Sequence, residues 1–342
     1  MERSLAGPLM VAASGFRIGS VAVVPNLVLA PMSGITDSSY RSLVKEQNPG
    51  AVGLVVSELI SVEALTRENL RTRNMLRYRP SEWPLAIQLF GADPVRMADA
   101  ARMVQDLGAD IVDVNCGCPA PKVTKKGGGA ELMRQTPVLR GILQALRRVL
   151  TIPFTVKLRA GWDDDSRNAV EVARMAEGEG VQAIAVHGRT RKQLYAGEPD
   201  WELVGRVKQA VRVPVIGSGD ITTAAGALER FRASGVDGVM IGRATLAHPW
   251  IFREIDALQR GLPVPVITST ERFSTVDRLI ARLEEELSPT AALGRSRGLA
   301  CRMVKHLRGG AELRVALTRA PSTAAMREIL AAAGALVYES AA

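Results

Sequence analysis

The sequence predicts an α/β protein: a closed (β/α)8 barrel of the TIM type, followed by an all-helical C-terminal segment. Three observations predict it. Eight short aliphatic runs recur up to about residue 241, each followed by a polar or glycine-rich turn and most of them by a stretch with helical apolar spacing. The runs are short and often β-branched, as strands buried on both faces require. The alternation stops near residue 258, and from Ser269 onward only helical spacing remains.

In order, the runs are Leu27–Ala30, Gly53–Val56, Leu85–Leu89, Ile111–Val114, Phe154–Leu158, Ala183–Val186, Val213–Ile216 and Gly238–Ile241. Pro94–Leu107, Pro137–Val149, Ala169–Glu179 and Thr223–Ser234 have helical spacing between them. An open doubly wound sheet is the competing architecture. No G-x-G-x-x-G fingerprint follows the first run, which counts against a dinucleotide-binding sheet. Gly261-Leu-Pro-Val-Pro265 is a linker by composition. Residues 1–260 are therefore expected as a barrel domain and 268–342 as a helical domain. The 342 residues accommodate that division, since such barrels run to about 250 residues.

Hydrophobic residues at 47% and charged residues at 23% exclude a disordered or collagen-like chain. Aromatics at 4% imply an aliphatic core. No window approaches the roughly 18 apolar residues of a membrane span. Near the N-terminus, Arg3 and a modest apolar stretch give way to Arg17 and several glycines, which does not read as a signal peptide. Three cysteines, Cys116, Cys118 and Cys301, are no disulfide framework, so a reducing cytoplasmic compartment is expected.

Lys plus Arg exceed Asp plus Glu by 44 − 35 = 9, an excess that suits a polyanionic partner. From Gly294 to Arg327 stand Arg295, Arg297, Arg302, Lys305, Arg308, Arg314, Arg319 and Arg327, with Glu312 the only acid and His306 a further donor. Glu284–Glu286 is an acidic cluster just before them. A solvated helical face and a phosphate-contacting surface are both open readings of this charge.

In barrels of this kind the active site lies where the strands end. The first run leads into Ala30-Pro-Met-Ser-Gly-Ile-Thr-Asp37, the second into Ser57-Glu58, and the third contains Gln88. The fourth ends in Asn115-Cys-Gly-Cys-Pro119, the fifth carries Lys157 and Arg159, and the sixth ends in His187-Gly-Arg-Thr-Arg191. Gly217-Ser-Gly-Asp220 and Gly242-Arg243 follow the last two runs, where this fold usually binds phosphate. Backbone N–H groups at Ser218-Gly219 and the fork of Arg243 favour an anionic ligand. Lys157 in an aliphatic strand needs an anion or acceptor to meet it. Cys116 and Cys118 lack the further ligands that zinc needs, and an extended chain sends them to opposite sides. Cys118, beside Gly117 and Pro119, is the candidate nucleophile or proton donor. Cys301 reads as a buried packing residue.

These residues together resemble the tRNA-dihydrouridine synthases, over about Leu27 to Phe252 and in the helical tail. The motifs that carry the resemblance are Ala30–Asp37, Gln88, Asn115–Pro119, Lys122-Val123 with Lys126-Gly-Gly-Gly-Ala130, Lys157-Leu-Arg159, His187–Arg191 and Gly242-Arg243. The bacterial B-type branch is the most similar. The resemblance implies an FMN-binding barrel and a helical tRNA-binding domain that reduce the C5–C6 bond of particular uridines, with NADPH as reductant. It implies hydride delivery from the flavin to C6 and a proton from Cys118 to C5. Pro31, Met32 and Ser33 would line the flavin, Gln88 and Lys157 would bond its polar edge or nearby ribityl groups, and His187 would sit close to it. Ser218, Gly219, Asp220, Gly242 and Arg243 would hold the phosphate, and Asn115 and Arg189 would hold the uracil. The family often has a larger residue in place of Cys116 and asparagine in place of Ser218. A monomer without protein partner, membrane or metal is expected. The alternatives are an FMN-dependent dehydrogenase of a free pyrimidine, resembling the dihydroorotate dehydrogenases, and a non-catalytic RNA-binding barrel.

Overall fold

The computed structural model describes residues 14–305 and 307–339. The segment around Arg3 and residue His306 lie outside them. Eight parallel strands close into a barrel: β3 (Leu27–Leu29), β4 (Leu54–Ser61), β5 (Leu85–Phe90), β6 (Ile111–Cys116), β7 (Phe154–Arg159), β8 (Ile184–His187), β9 (Val215–Ser218) and β10 (Gly238–Ile241). Closure comes from β10 pairing with β3, Val239 opposite Leu27 and Ile241 opposite Leu29.

All eight aliphatic runs form strands, and three boundaries differ in ways that matter. β4 continues through Ser57 and Glu58 to Ser61, past a register shift between Val56 and Leu59. β6 extends to Cys116, so Asn115 belongs to the strand rather than to the turn after it. Ser218 likewise closes β9. Before the barrel lies a hairpin that no aliphatic run announces, β1 (Phe16–Ile18) with β2 (Val21–Val23). It turns at Gly19, whose φ of 54° suits glycine. Ile18 and Val23 pack against the inner residues Val28, Leu54, Ala86, Ile111 and Ala183, closing the mouth at the strands' N-terminal ends.

Strand alternation sorts the side chains. On β6, Val112, Val114 and Cys116 join the outer core under the helices, while Ile111 joins the inner one. Asp113 and Asn115 therefore share the inward face, above Ile111. The barrel interior is apolar at its closed end and polar toward its open end.

The helices around the barrel are α1 (Ser38–Gln47), α2 (Pro94–Asp106), α3 (Thr136–Val149), α4 (Ala169–Gly178), α5 (Trp201–Ala210), α6 (Ala224–Ser234) and α7 (Ile251–Gln259). On α3, Leu139, Ile142, Leu143 and Leu146 recur at helical spacing and are buried, which is why this stretch folds as it does. Asp93 caps α2 by accepting from the N–H groups of Val95 and Arg96 at 2.8 and 3.1 Å, ahead of Pro94.

Four helices complete the described chain: α8 (Ser269–Glu286), α9 (Pro289–Met303), α10 (Gly310–Arg319) and α11 (Thr323–Glu339). The Gly261–Pro265 linker lies between α7 and α8. Val276, Leu279, Ile280 and Leu283 of α8 bury against the same continuous core as Tyr40, Leu43 and Val44 of α1. Polar bonds reinforce this seam. Thr275 Oγ1 donates to Gln47 Oε1 at 2.8 Å, and Arg282 Nη1 donates to Ser42 Oγ at 2.7 Å. Cys301 is only half-buried, packed against this core, and its Sγ lies 3.4 Å from Thr318 Oγ1.

Candidate active site

A cavity of about 590 Å³ opens where the barrel strands end. Pro31, Met32, Ser33, Gln88, Asn115, Cys118, Lys157, His187, Ser218, Gly219, Asp220, Gly242 and Arg243 all line it. Of the residues that the sequence assigns to catalysis, cofactor or substrate, Arg189 alone is not among them.

The wall after β3 is held from two sides. Thr36 Oγ1 accepts from Met32 N at 2.9 Å, and Gly34 N donates to a Glu58 carboxylate oxygen. Burial raises the Glu58 carboxyl above its usual range, while the Gly34 N–H and Arg295 oppose that shift. From α9, Arg295 pairs with Asp37 at 2.9 Å and donates to Ile35 O at 2.9 Å. Beneath this wall, Arg41 and Glu82 form a fully buried ion pair at 2.6 Å, and Arg41 also donates to Thr36 O at 2.6 Å.

The floor is polar. Gln88 Nε2 donates to Asp113 Oδ2 at 2.6 Å, and Asn115 Nδ2 donates to Gln88 Oε1 at 2.7 Å. Asn115 Oδ1 accepts from the N–H groups of Gly117 and Cys118 at 3.2 and 2.8 Å. Burial, with Arg159 beside it, lowers the Lys157 ammonium to about 8, against the opposing pull of Asp113. It therefore remains mostly a cation at neutral pH.

Cys118 stands at the head of a turn that only glycine permits. Gly129 has φ 61°, and a Cβ there would lie 2.7 Å from Cys118 O, which accepts from Ala130 N at 3.0 Å. Cys116 faces the outer core, where burial raises its thiol well above the ordinary range and leaves it unreactive. The two thiols thus diverge as strand alternation requires.

His187 Nδ1 accepts from Arg189 N at 3.2 Å, so the neutral ring carries its proton on Nε2. Burial lowers its pKa to about 2, and Lys157, Arg159, Arg189 and Arg243 add to the effect. The ring is an N–H donor without charge at neutral pH.

Beyond β9 and β10 the backbone comes close to the cavity. Gly219 has φ 140°, and a Cβ there would lie 2.6 Å from Pro199. Asp220 has φ 45°, a strained position for a non-glycine residue. Its carboxylate meets Arg189 and, at 2.5 Å, Arg243. The Arg189 bond, then burial opposing it, set a carboxyl below the usual range. Arg189 is 2% exposed and also donates to Gly197 O and Ala196 O. Its guanidinium is committed beneath the cavity, where it holds Asp220. Two guanidiniums against one carboxylate leave one net positive charge on this rim.

Arg159, Tyr195 and Leu59 are among the lining residues that had no role from sequence. Arg159 donates to Gly117 O at 2.8 Å and to Thr190 O and Leu194 O at 2.8 and 2.9 Å, tying the Cys118 turn to the loop after β8. Tyr195, exposed on that loop, has its ring 4.5 Å from the Arg243 guanidinium. Leu59 follows the β4 register shift. Asp113 lies just below the lining. A charged residue on the inward face of an aliphatic strand was its signal, whereas Tyr195 sits in a loop without periodicity.

The donor set fits an elongated anionic ligand. N–H donors and cations are in the lining, Met32, Leu59 and Met240 supply apolar surface, and the Gly219 and Gly242 backbones with Arg243 are the groups that could hold an anion. Among the described residues no group of His, Cys, Asp and Glu is placed to hold a metal ion, and no helix is long and apolar enough to cross a membrane.

Fold and site define a (β/α)8 barrel whose cavity is lined by cations and N–H donors and has a thiol at its edge. A model of the family described as Dihydrouridine synthase (Dus) matches residues 28–335. The tRNA-dihydrouridine synthase B of Pseudomonas syringae pv. tomato is 42% identical over 259 residues, 75% of this chain and 76% of that one. A probable tRNA-dihydrouridine synthase of Rickettsia bellii is 44% identical over 241 residues, 70% of this chain and 73% of that one. This chain belongs to the dihydrouridine synthase family, oxidoreductases that act on tRNA. Among solved structures, a histamine dehydrogenase from a Rhizobium species matches with a TM-score of 0.56 at 12% identity, over 78% of this chain and 50% of that one. A morphinone reductase variant in complex with tetrahydroNAD matches with a TM-score of 0.50 at 13% identity, over 75% and 92%. At such identities these two show the barrel fold alone.

Proposed function

We propose that this protein reduces the C5–C6 double bond of specific uridines in tRNA to 5,6-dihydrouridine, with FMN bound in the cavity and NADPH as the reductant. The observation that carries the reading is the gathering of Cys118, Gln88, Asn115, Lys157, His187 and Arg243 around one cavity in a chain of this family. Bound FMN would supply the hydride, delivered to C6 of the uracil.

The chain's own residues supply the rest. Ser218, Gly219, Gly242 and Arg243 would hold the phosphate. Asp220 serves that site indirectly, because a carboxylate repels a phosphate while its bond to Arg243 fixes the guanidinium. Pro31, Met32 and Ser33 would pack against the ring, and Gln88, Lys157 and His187 would donate to its polar edge. Negative charge develops on uracil O4 and C5 as C6 is reduced, and preorganised donors stabilise it. Asn115 Nδ2, Lys157 and Arg159 are the lining donors that β6 and β7 bring to the side of Cys118. Cys118 Sγ gives its proton to C5, and Asn115 and Arg159 hold the turn that presents it. The target base must leave its stack to enter.

The tail's charge divides. Arg295, Arg297 and Arg327 are committed to Asp37, Ala320 O and Asp277. Arg302, Lys305, Arg308 and Arg319 are exposed and form no ion pair among the described residues, so they are the proposed phosphate contacts. We place the protein in the cytoplasm as a monomer, with residues 1–260 as the catalytic domain and 268–342 as the RNA-binding one.

The test is dihydrouridine formation in unmodified tRNA, followed by mass spectrometry of the nucleosides, for the wild type and Cys118→Ala. The wild type should add two hydrogens per target uridine. Cys118→Ala should lose this by orders of magnitude while keeping its flavin and its tRNA affinity. Unchanged turnover would remove Cys118 from the acid role, and turnover of a free pyrimidine alone would favour a metabolite dehydrogenase.

A further inference from the structure

The hydrogen bonds in the cavity floor run in one direction, and both ends determine it. The backbone N–H groups of Gly117 and Cys118 can only donate, and both reach Asn115 Oδ1. Asn115 must then turn its nitrogen to Gln88, whose Oε1 accepts. Gln88 must in turn face Asp113 with its nitrogen. Burial raises the Asp113 carboxyl above its usual range, opposed by the Gln88 and Thr155 hydrogen bonds and by Lys157; the oxygen facing Gln88 accepts, so the run closes there without a mismatched pair. Thr155 Oγ1 donates to the other Asp113 oxygen at 2.5 Å. Strand register builds the arrangement, because Asp113 on β6 stands opposite Gln88 on β5 and Thr155 on β7.

Asp113 is 5% exposed and lies one layer below the cavity, so it touches no ligand there. We propose that Asp113 is a positioning residue: its carboxylate sets the direction of the Gln88–Asn115 relay and thereby holds the Cys118 turn. The ordered relay leaves one N–H uncommitted on each amide. Those donors suit carbonyl acceptors, such as those of a uracil or flavin ring, and this clause alone rests on the function proposed above. Without an acceptor at position 113, the Gln88 nitrogen is unanchored and only the Asn115 end holds the amide; a reversed Gln88 presents nitrogen to nitrogen at Asn115. Asn115 can answer only by giving up the two backbone N–H groups of the turn.

Two substitutions separate direction from charge. In Asp113→Asn the new carbonyl still accepts from Gln88, and its amide donates to Thr155 Oγ1, which can accept. In Asp113→Val no acceptor remains. The readout is amide hydrogen exchange at Gly117 and Cys118 in the full-length chain as purified, resolved by mass spectrometry. Asp113→Val should speed exchange there by about tenfold or more, the effect of losing one buried partner, and leave β9 and β10 unchanged. Asp113→Asn should stay within about twofold of the wild type, since no hydrogen bond is lost. Wild-type exchange in Asp113→Val would overturn the proposal. So would tenfold faster exchange at Gly117 and Cys118 in Asp113→Asn, which decides the matter even if the valine variant does not fold. Repeating the wild-type measurement with added FMN tests the flavin reading separately, because the contrast between asparagine and valine needs no ligand.

Discussion

Replacing Arg243 with methionine separates the phosphate from the ring of the proposed cofactor. Methionine keeps much of the apolar stem and removes the guanidinium that reaches Asp220 and lies beside Tyr195. The rim then falls from one net positive charge to none, because Arg189 and Asp220 remain paired. A hydrogen bond to a charged group contributes about 1.5–3 kcal/mol. The Arg243 side chain is 51% exposed, so solvent screening places it at the low end. A loss of about 1.5–2 kcal/mol corresponds to roughly 10- to 30-fold weaker FMN binding. The assay is a flavin-fluorescence titration of the apoprotein with FMN and with riboflavin, which lacks the phosphate. Riboflavin affinity should not change. Equal weakening of both ligands, or unchanged FMN affinity, would refute the assignment of Arg243 to the phosphate.

Other consequences follow from the same geometry. The unfolded state takes up a proton at His187 as pH falls through about 6.5, whereas the folded state does not until about 2, so stability is lost on acidification. Between pH 8 and 5.5 this group accounts for about 1.4 kcal/mol, so His187→Gln should show that much less pH dependence in urea unfolding; equal slopes would contradict it. Glu82→Ala strands Arg41 without a counter-charge and should cost about 3–5 kcal/mol in denaturant unfolding. A loss under 1 kcal/mol would show that the pair is not desolvated as described. Reversing Arg302, Lys305, Arg308 and Arg319 to glutamate should weaken tRNA binding. It should also lower the slope of log affinity against log salt by about one for each phosphate those side chains neutralise. An unchanged slope would return these residues to a solvated face.

The barrel was legible because buried parallel strands leave uninterrupted aliphatic runs, and each run here became a strand. The β4 extension was not, since Ser57 and Glu58 look like a turn until the register shift shows how the strand carries them. The β1–β2 hairpin was hidden because each strand has only three residues, with Phe16 and Ile18 or Val21 and Val23 facing the core around one exposed residue, too short a stretch to make a pattern. Much of the cavity lining could be read from sequence, because polar residues after aliphatic runs must gather at one end of a barrel. Arg189 and Arg243 show the limit. Both follow strand ends, but Asp220 and the Ala196–Gly197 carbonyls bury one and leave the other at the rim. That choice depends on how the loop after β8 folds back on itself and meets Asp220 of the loop after β9. Asp113 was visible as a charge in an aliphatic strand, but its partners Gln88 and Thr155 are distant in sequence and meet it only through sheet register.

The most direct test of the central claim is anaerobic. Purified protein is reduced with NADPH, mixed with unmodified tRNA or with free uridine monophosphate, and the flavin's visible absorption band is followed. Rapid reoxidation by tRNA and none by the mononucleotide is the expected result. Absence of flavin, or reoxidation by the free pyrimidine but not by tRNA, would contradict it.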